Sequence, residues 1–355
     1  MSPEPERRPP APDSADGRPV NPVRVSYTQT WLYFLFVVCF LVAWWFPIKL
    51  FLQHSAFMKG RAEGPRDAES FVALAYAGVS ALTNEVSPAQ FKAHLKALRE
   101  AGYHSITAED VKGLLREGKP VPRKAVLLTF DHGRKTSYFD TRAALRRGGW
   151  HAVMFLWTGP IESQDPANLR WPYINEMVRS RTWQIGAQSD SGFAQVTADS
   201  AGRRANFMTS PRWLEREKRY ETLEEFKNRL NEDHLRCRAI IEKNTGRNPS
   251  LYAFPYGDFG QYDSRAVLTR RVNLDLVGRY YDLGFVVGNK ALNTRYSDPR
   301  RLNRLLVDPR LSPQALIARL EQAWPMENAV RTWKELGDES AWIVDWGSMT
   351  AASNR

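Results

Sequence analysis

Ala125-Val-Leu-Leu-Thr-Phe-Asp-His-Gly133 is an apolar run that ends in two adjacent ionisable side chains and a glycine. Bounded by Lys124 and Gly133, it suits a central parallel strand buried on both faces. Asp131 and His132 then emerge at the strand tip, where parallel sheets and barrels place their active sites. Outward from this run the same alternation recurs. A helix is expected from about Tyr138 to Arg147, then the apolar Ala152-Val-Met-Phe-Leu156, and strand, helix, strand is the rhythm of a parallel sheet.

Towards the N-terminus, Ser70-Phe-Val-Ala-Leu-Ala-Tyr76 reads as the first strand of the domain. Ser87-Pro88 opens a helix with a cap residue and a first-turn proline, and Gly102 stops it. Thr107 with Asp110 forms a capping-box pattern for a second helix ending at Gly118. Towards the C-terminus, a helix near Trp171 leads to the strand Trp183-Gln-Ile-Gly-Ala187. The polar stretch from Gln188 to Tyr220 is long enough to suggest a functional loop. A charged helix from Leu223 to Lys243 precedes further strands at Leu251 to Phe254, Phe285 to Val287 and Leu305 to Val307. His94 and His104 have no Cys or carboxylate at ligand spacing and read as surface histidines.

The chain of 355 residues, 43% hydrophobic, is long enough for one large core. Its net charge of +11 is spread along the sequence and accompanies no nucleic-acid-binding motif. A basic surface facing anionic lipid or an acidic glycan accounts for it. The two cysteines, Cys39 and Cys237, fall in an apolar run and a helix, so neither a disulfide nor a cysteine metal site is expected.

Residues 1–24 are polar and proline-rich and read as a disordered tail. Val25 to Ile48 carries no charge, and Trp31 to Ile48 is almost wholly apolar, with Trp31, Tyr33, Trp44 and Trp45 near its ends. This predicts a transmembrane anchor over residues 25–52. A linker over 53–69, a domain over 70–323 and a C-terminal extension over 324–355 complete the expected layout. Arginines precede the span and lysines and arginines follow it in equal number, so charge alone sets no orientation.

Taken in order, these strand ends resemble the polysaccharide deacetylase family, over about residues 70–323. Thr129-Phe-Asp-His-Gly133 is similar to its first motif, Thr-Phe-Asp-Asp-Gly, and Phe254-Pro-Tyr-Gly257 to its third. Arg219 to Phe226, Arg304-Leu-Leu-Val-Asp308 and Ser87 to Gly102 resemble the N-deacetylases of exported poly-N-acetylglucosamine. The resemblance implies a distorted (β/α) barrel preceded by one transmembrane helix. It also implies an N-acetylated polysaccharide as partner, a place beside exopolysaccharide synthesis or export proteins, and an inner-membrane anchor with a cytoplasmic N-terminus and an extracytoplasmic barrel.

In the family an Asp and two His hold a divalent metal, and a second Asp takes a proton from the metal-bound water. Carried over by position, Asp131 is the base and His132 stands where the metal-binding Asp belongs. Phe254, Pro255, Tyr256 and Gly257 line the substrate groove. The family's His, Ser or Thr, any, any, His pattern reads Gln188-Ser-Asp-Ser-Gly192 here, so Gln188 and Gly192 occupy the two lost His positions. Asp190 joins His132 as a candidate ligand only if the loop register is shifted. No histidine follows His234, so the general-acid position is vacant as well. Two readings follow: a pseudo-deacetylase that binds glycan or a synthesis partner and has no cofactor, or an active N-deacetylase with an atypical metal shell. Under the first, His132 is expected to hydrogen-bond Asp131 and fill the space of the lost ion.

Overall fold

The computed structural model describes residues 31, 35–40, 66–82, 84–262 and 267–323. The chain divides into two compact units, Met1–Gln53 and His54–Arg355. In the first unit, residue 31 and residues 35–40 are helical, with Phe36 and Phe40 stacked at 6.4 Å. Most of the anchor expected over 25–52 lies outside the described residues, as do the tail, most of the linker and the C-terminal extension. Among the described residues no helix is long and apolar enough to cross a membrane.

In the second unit the described strands of the central sheet are β1 (Ser70–Tyr76), β2 (His104–Ser105), β3 (Ala125–Phe130), β4 (Ala152–Leu156), β5 (Trp183–Ala187), β6 (Leu251–Ala253), β7 (Leu283–Phe285), β8 (Leu292–Thr294) and β9 (Leu305–Leu306). Their order is β7-β6-β5-β4-β3-β1-β8, with β2 on β3 and β9 on β1. All pairs are parallel except β8 with β1. The segment beyond β7 then hydrogen-bonds to the run entering β9: Val286 N–H donates to Leu302 O at 2.9 Å and Gly288 N–H to Arg304 O at 3.0 Å. Because β9 lies on β1, these bonds curl the sheet back towards its first strand. This is the α/β architecture expected from the alternation of strands and helices.

Helices pack around the sheet: α1 (Pro88–Glu100), α2 (Ala108–Glu117), α3 (Lys135–Gly148), α4 (Thr158–Glu162), α5 (Trp171–Arg179), α6 (Leu223–Thr245), α7 (Val267–Tyr280) and α8 (Pro313–Ala323), with Ala108, Val111 and Leu114 of α2 set against the inner-face cluster. The caps expected at Ser87 and Thr107 form, and Thr222 adds a third. Ser87 Oγ accepts from Gln90 N–H at the start of α1, and reciprocal capping boxes open α2 at Thr107 and α6 at Thr222. Strand side chains alternate between two buried clusters. Val72, Leu74, Val126, Leu128 and Phe130 pack outward with Phe91 and Leu98 of α1. Phe71, Ala73, Ala125, Leu127, Val153, Phe155, Ala253 and Phe285 pack together on the inner face.

Three local expectations change. Arg66–Ala68, expected in the linker, is a strand paired antiparallel with Val121–Pro122, which satisfies its backbone groups. The stretch from Gln188 to Tyr220 contains two short antiparallel ribbons, Gln195–Thr197 with Arg204–Asn206 and Trp213–Leu214 with Arg219–Tyr220. It is pinned by Arg229, which reaches Glu221 at 2.8 Å and the carbonyls of Phe207 and Ser210. His94 is fully buried rather than on the surface, because its ring nitrogens meet Tyr76 Oη at 3.3 Å and Leu311 O at 2.9 Å.

The run carrying Arg304 is clamped to β8 by an asparagine pair. Asn303 N–H donates to Asn293 Oδ1 at 2.7 Å, and Asn293 Nδ2 donates to Asn303 O at 2.9 Å. Asn293 is 1% exposed. Asn293→Ala leaves a buried N–H unpaired and is expected to cost about 1–3 kcal/mol, read as a lower urea midpoint with an unchanged slope.

Candidate functional site

The inner-face register of β3 runs Ala125, Leu127, Thr129 and then, one step past the strand, Asp131. Its top is therefore polar where its base is apolar. Asp131 meets Arg304, which is fully buried. Arg304 Nη1 donates to Asp131 Oδ1 at 2.6 Å and Nη2 to Oδ2 at 3.3 Å. Nη1 also donates to Thr129 Oγ1 at 3.0 Å and Nε to Val286 O at 3.3 Å, while the guanidinium carbon lies 5.1 Å from the centre of the Phe155 ring. Thr129 Oγ1 in turn donates to Leu74 O at 2.8 Å. The carboxylate at the base position is thus one half of a buried, bidentate ion pair.

His132 does not hydrogen-bond Asp131 as expected. Its φ of 69° turns the backbone into the left-handed region, and this turn is fixed from both sides. His132 N–H donates to Gln188 Oε1 at 2.7 Å, and its carbonyl accepts from Asn168 Nδ2 at 2.7 Å. The ring lies 4.7 Å from Phe193 and 6.2 Å from Trp157. Burial among these rings pushes the imidazole below its usual pKa, against the opposing pull of the Asp131 charge. Its Nδ1 has no partner within the chain among the described residues.

The turn from Gln188 to Gly192 is occupied by structural work. Ser189, with φ 95°, donates to Asp233 Oδ2 at 2.6 Å and accepts from Gly192 N–H at 2.6 Å. Ser191 N–H donates to Asp233 Oδ1 at 2.6 Å. Burial pushes the Asp233 carboxyl above the usual carboxylate range, with the Ser189 and Ser191 hydrogen bonds opposing it. Asp190 Oδ1 accepts from Thr158 Oγ1 at 2.9 Å, and its Oδ2 pairs with Arg236 Nε at 3.1 Å. At Gly192 a Cβ would stand 2.4 Å from Ser189 Oγ and 2.7 Å from Pro255 Cγ, so the position has no room for a side chain.

Of the four residues expected to line a groove, only Tyr256 presents itself, at 52% exposure. Phe254, Pro255 and Gly257 are buried. Tyr256 sits at φ 57°, and the next residue must be glycine because a Cβ there would meet Val287 Cγ1 at 2.4 Å. Tyr256 Oη donates to Phe193 O at 2.9 Å, and the two rings stand at 5.1 Å. Phe193 continues to Trp157 at 4.6 Å. An aromatic wall therefore flanks the strand tip. Trp183 and Tyr252, also near strand ends, are core residues.

Residues 118–276 match the polysaccharide deacetylase family. The chain carries a polysaccharide deacetylase domain. The poly-beta-1,6-N-acetyl-D-glucosamine N-deacetylase of Escherichia coli (strain K12) is 25% identical over 219 residues, 56% of this chain but 32% of that protein. The fold is similar to that of the de-N-acetylase from Aggregatibacter actinomycetemcomitans, with a TM-score of 0.62 and 22% identity over 70% of this chain and 99% of the other. It is also similar to IcaB from Ammonifex degensii, with a TM-score of 0.55 and 23% identity over 72% of this chain and 98% of the other.

The donors of this deacetylase domain do not fit the family's metal. A hydrolytic zinc site uses three good protein ligands and an open position. Here Asp131 is bound by Arg304, and Asp190 by Thr158 and Arg236. Gln188 Oε1 holds the His132 backbone, Gly192 offers no donor, and of these residues only His132 supplies an uncommitted ligand atom. Among the described residues no group of three His, Cys, Asp or Glu side chains is placed to hold an ion. Restoring histidine at 192 also meets the steric bar described above.

Sequence reasoning places Arg304 in a stretch that resembles the family but misses its pairing with Asp131, and it does not single out several other residues of the site. Arg304 is a lone charge in the apolar run from Leu302 to Val307, a signal that it faces inward to a partner. Trp157 and Phe193 follow strands, and nothing local marks them. Glu85, on the loop after β1, and Arg134 form a further pair at 3.1 Å, with the Glu85 side chain 9% exposed. Glu85 Oε2 and Arg134 Nε, like His132 Nδ1, lack partners within the chain among the described residues, at about 1–3 kcal/mol for each orphaned polar atom.

Arg304→Met strands the Asp131 carboxylate in the interior and is expected to cost about 3–5 kcal/mol, whereas the double variant with Asp131→Asn recovers most of that loss. A double-mutant cycle by chemical unfolding checks both values. A second expectation concerns pH. His234 is fully buried, and desolvation, with a smaller contribution from the Arg238 charge, lowers its pKa to about 3. The unfolded chain protonates near pH 6.5 and the folded chain does not, so the stabilising contribution is full above that pH and is lost as pH falls towards about 3. His234→Phe should flatten the fall in unfolding free energy between pH 6.5 and 5 by about 1.4 kcal/mol per pH unit.

Proposed function

We propose that this domain is a pseudo-deacetylase: it binds an N-acetylated polysaccharide and does not hydrolyse it. One observation carries the reading. The base position survives as Asp131, but it is paired with Arg304 and surrounded by residues that cannot assemble a metal-activated water. A carboxylate needs a water to deprotonate, and at neutral pH an ordinary water is a poor nucleophile without a metal. The family membership and the relative named for poly-beta-1,6-N-acetyl-D-glucosamine support a neutral N-acetylglucosamine polymer as the ligand. The aromatic wall of Trp157, Phe193 and Tyr256 supports glycan binding, since its rings offer an apolar surface against which the C–H face of a sugar packs.

We further propose that the apolar segment within residues 25–52 anchors the protein in the inner membrane, with the domain outside the cytoplasm beside the machinery that makes or exports the polymer. A topology reporter fused after Arg355 checks the placement: activity only in the cytoplasm sinks it.

Purified protein incubated with zinc and dialysed is expected to retain less than one equivalent of metal by elemental analysis. It should release no acetate from a β-1,6-linked N-acetylglucosamine pentamer, yet bind that pentamer saturably by calorimetry. Stoichiometric metal together with acetate release that disappears in Asp131→Asn would establish the active N-deacetylase with an atypical shell instead. Absence of any pentamer binding would remove the glycan-binding reading.

A further inference from the structure

We infer that the end of the domain opposite the strand tips is a docking face for an anionic phospholipid surface, in which Arg181 and Arg247 bind a lipid phosphate. The lipid comes from the anchoring reading above, on which this contact rests.

Charge that is spread along the sequence is gathered by the fold. In a parallel sheet each helix carries the chain back to the end where the next strand starts. Arg146 and Arg147 therefore close α3 just before β4, Arg179 and Arg181 lie just before β5, and Lys243 and Arg247 just before β6. All are exposed, and their side chains make no ion pair or hydrogen bond among the described residues. The intervening loops, 149–151, 180–182 and 246–250, contain no Asp or Glu. Glu176 of α5 is paired with Arg142 at 3.7 Å, and Glu242 is the remaining acid of these three helix ends. The strand-tip end is different, since Glu85, Asp131 and Asp190 are matched there by Arg134, Arg304 and Arg236. A base in the last turn of a helix also complements its dipole, which accounts for Arg146, Arg147, Arg179 and Lys243. It does not account for Arg181 and Arg247, which lie beyond the helix ends.

Those two loop arginines have fixed backbones and uncommitted heads. His151 Nδ1 donates to Arg181 O at 3.0 Å, and Arg247 N–H donates to Thr245 Oγ1 at 3.2 Å. Both residues line a cavity of about 420 Å³ at the start of β5 and β6, with Ser180 and Asn248 on its polar side and Trp183 and Leu251 on its apolar side. The acid on its wall, Glu109, is held by Lys112 at 2.9 Å. A cavity of this size admits a headgroup, and two guanidiniums with a hydroxyl and an amide beside them match the oxygens of a phosphate. The chain also enters the domain at this end. Arg66–Ala68 pairs with Val121–Pro122 just before β3, and Phe71 lies opposite Ala125 at the start of β3. A lipid surface rather than a soluble acid is favoured because the sequence preceding Ser70 thus connects to the domain on its basic side.

The test is amide hydrogen exchange of the full chain reconstituted into nanodiscs of phosphatidylcholine, alone or mixed with phosphatidylglycerol. In the anionic discs, exchange across 145–151, 179–184 and 243–250 is expected to slow about tenfold or more relative to the neutral discs. The difference should vanish at about 1 M salt, where charges are screened within about 3 Å. Arg181→Gln combined with Arg247→Gln should remove most of the slowing, about fivefold for each base lost, with the melting temperature little changed. Arg170→Gln combined with Arg216→Gln takes the same charge from the strand-tip end and should leave the slowing intact. Equal loss in both double variants would assign the effect to overall charge and overturn the docking face. Exchange that is the same in both kinds of disc also overturns it and leaves the anchoring reading standing, whereas a chain that enters neither disc removes both. Equal slowing in neutral discs on adding soluble polygalacturonate would give the face to an acidic glycan instead, which overturns the lipid assignment.

Discussion

A guanidinium with no solvent exposure is bound to a carboxylate at the end of the inner-face column of β3, and the architecture around the strand tip depends on that pair. Removing two charges from water is expensive, and attraction alone repays it only with good geometry and further hydrogen bonds. Arg304 meets both conditions. Its remaining donors reach Thr129 Oγ1 and Val286 O, and its flat face lies over Phe155. The contacts come from β3, β4, the segment after β7 and the run into β9, so one side chain ties together the two regions whose meeting curls the sheet. The asparagine clamp to β8 holds the same run from outside.

With Asp131 committed to Arg304, the neighbouring groups follow. His132 is left among Phe193 and Trp157, where the uncharged imidazole is favoured. The turn from Gln188 to Gly192 turns its polar groups to Asp233, Thr158, Arg236 and the His132 backbone. It is a tightly packed turn in its own right, closed by contacts that leave no space at Gly192. A metal site with two ligands merely deleted would retain their volume. Here the turn leaves no such space at Gly192, so a histidine placed there requires the turn itself to shift.

Much of the scaffold is legible in the sequence because it rests on local signals. β1, β4 and β5 match their expected ranges, since short apolar runs between turn residues have few other stable fates in an α/β chain. The caps at Ser87, Thr107 and Thr222 form because their partners lie three residues away. What escapes is long-range or steric. Arg304 and Asp131 are 173 residues apart, and no periodicity connects them. His94 looks exposed on its helix until Tyr76 and Leu311 are brought against it. Phe254 shares a motif with Tyr256 but faces the core, because the left-handed turn at Tyr256 sends the two side chains different ways. Glu85 and Arg134 are ordinary charged residues until the loop after β1 folds over Gly78.

Charge pairing at the mouth separates the two kinds of work such a domain can do. Hydrolysis of an amide requires an asymmetric field, with positive charge where the oxyanion develops and a free base facing a polarised water. A mouth in which Glu85, Asp131 and Asp190 are each matched by an arginine has spent that asymmetry inside the protein. Recognition of a neutral sugar has no such requirement. It needs fixed donors and acceptors, a rigid apolar surface and little reorganisation, and a site stiffened by internal ion pairs and a strained Tyr256 turn supplies these at low entropic cost. On the pseudo-deacetylase proposal, the pairs that hold these charges also preorganise binding, and the arginine at Asp131 stabilises a strand tip that carries no metal.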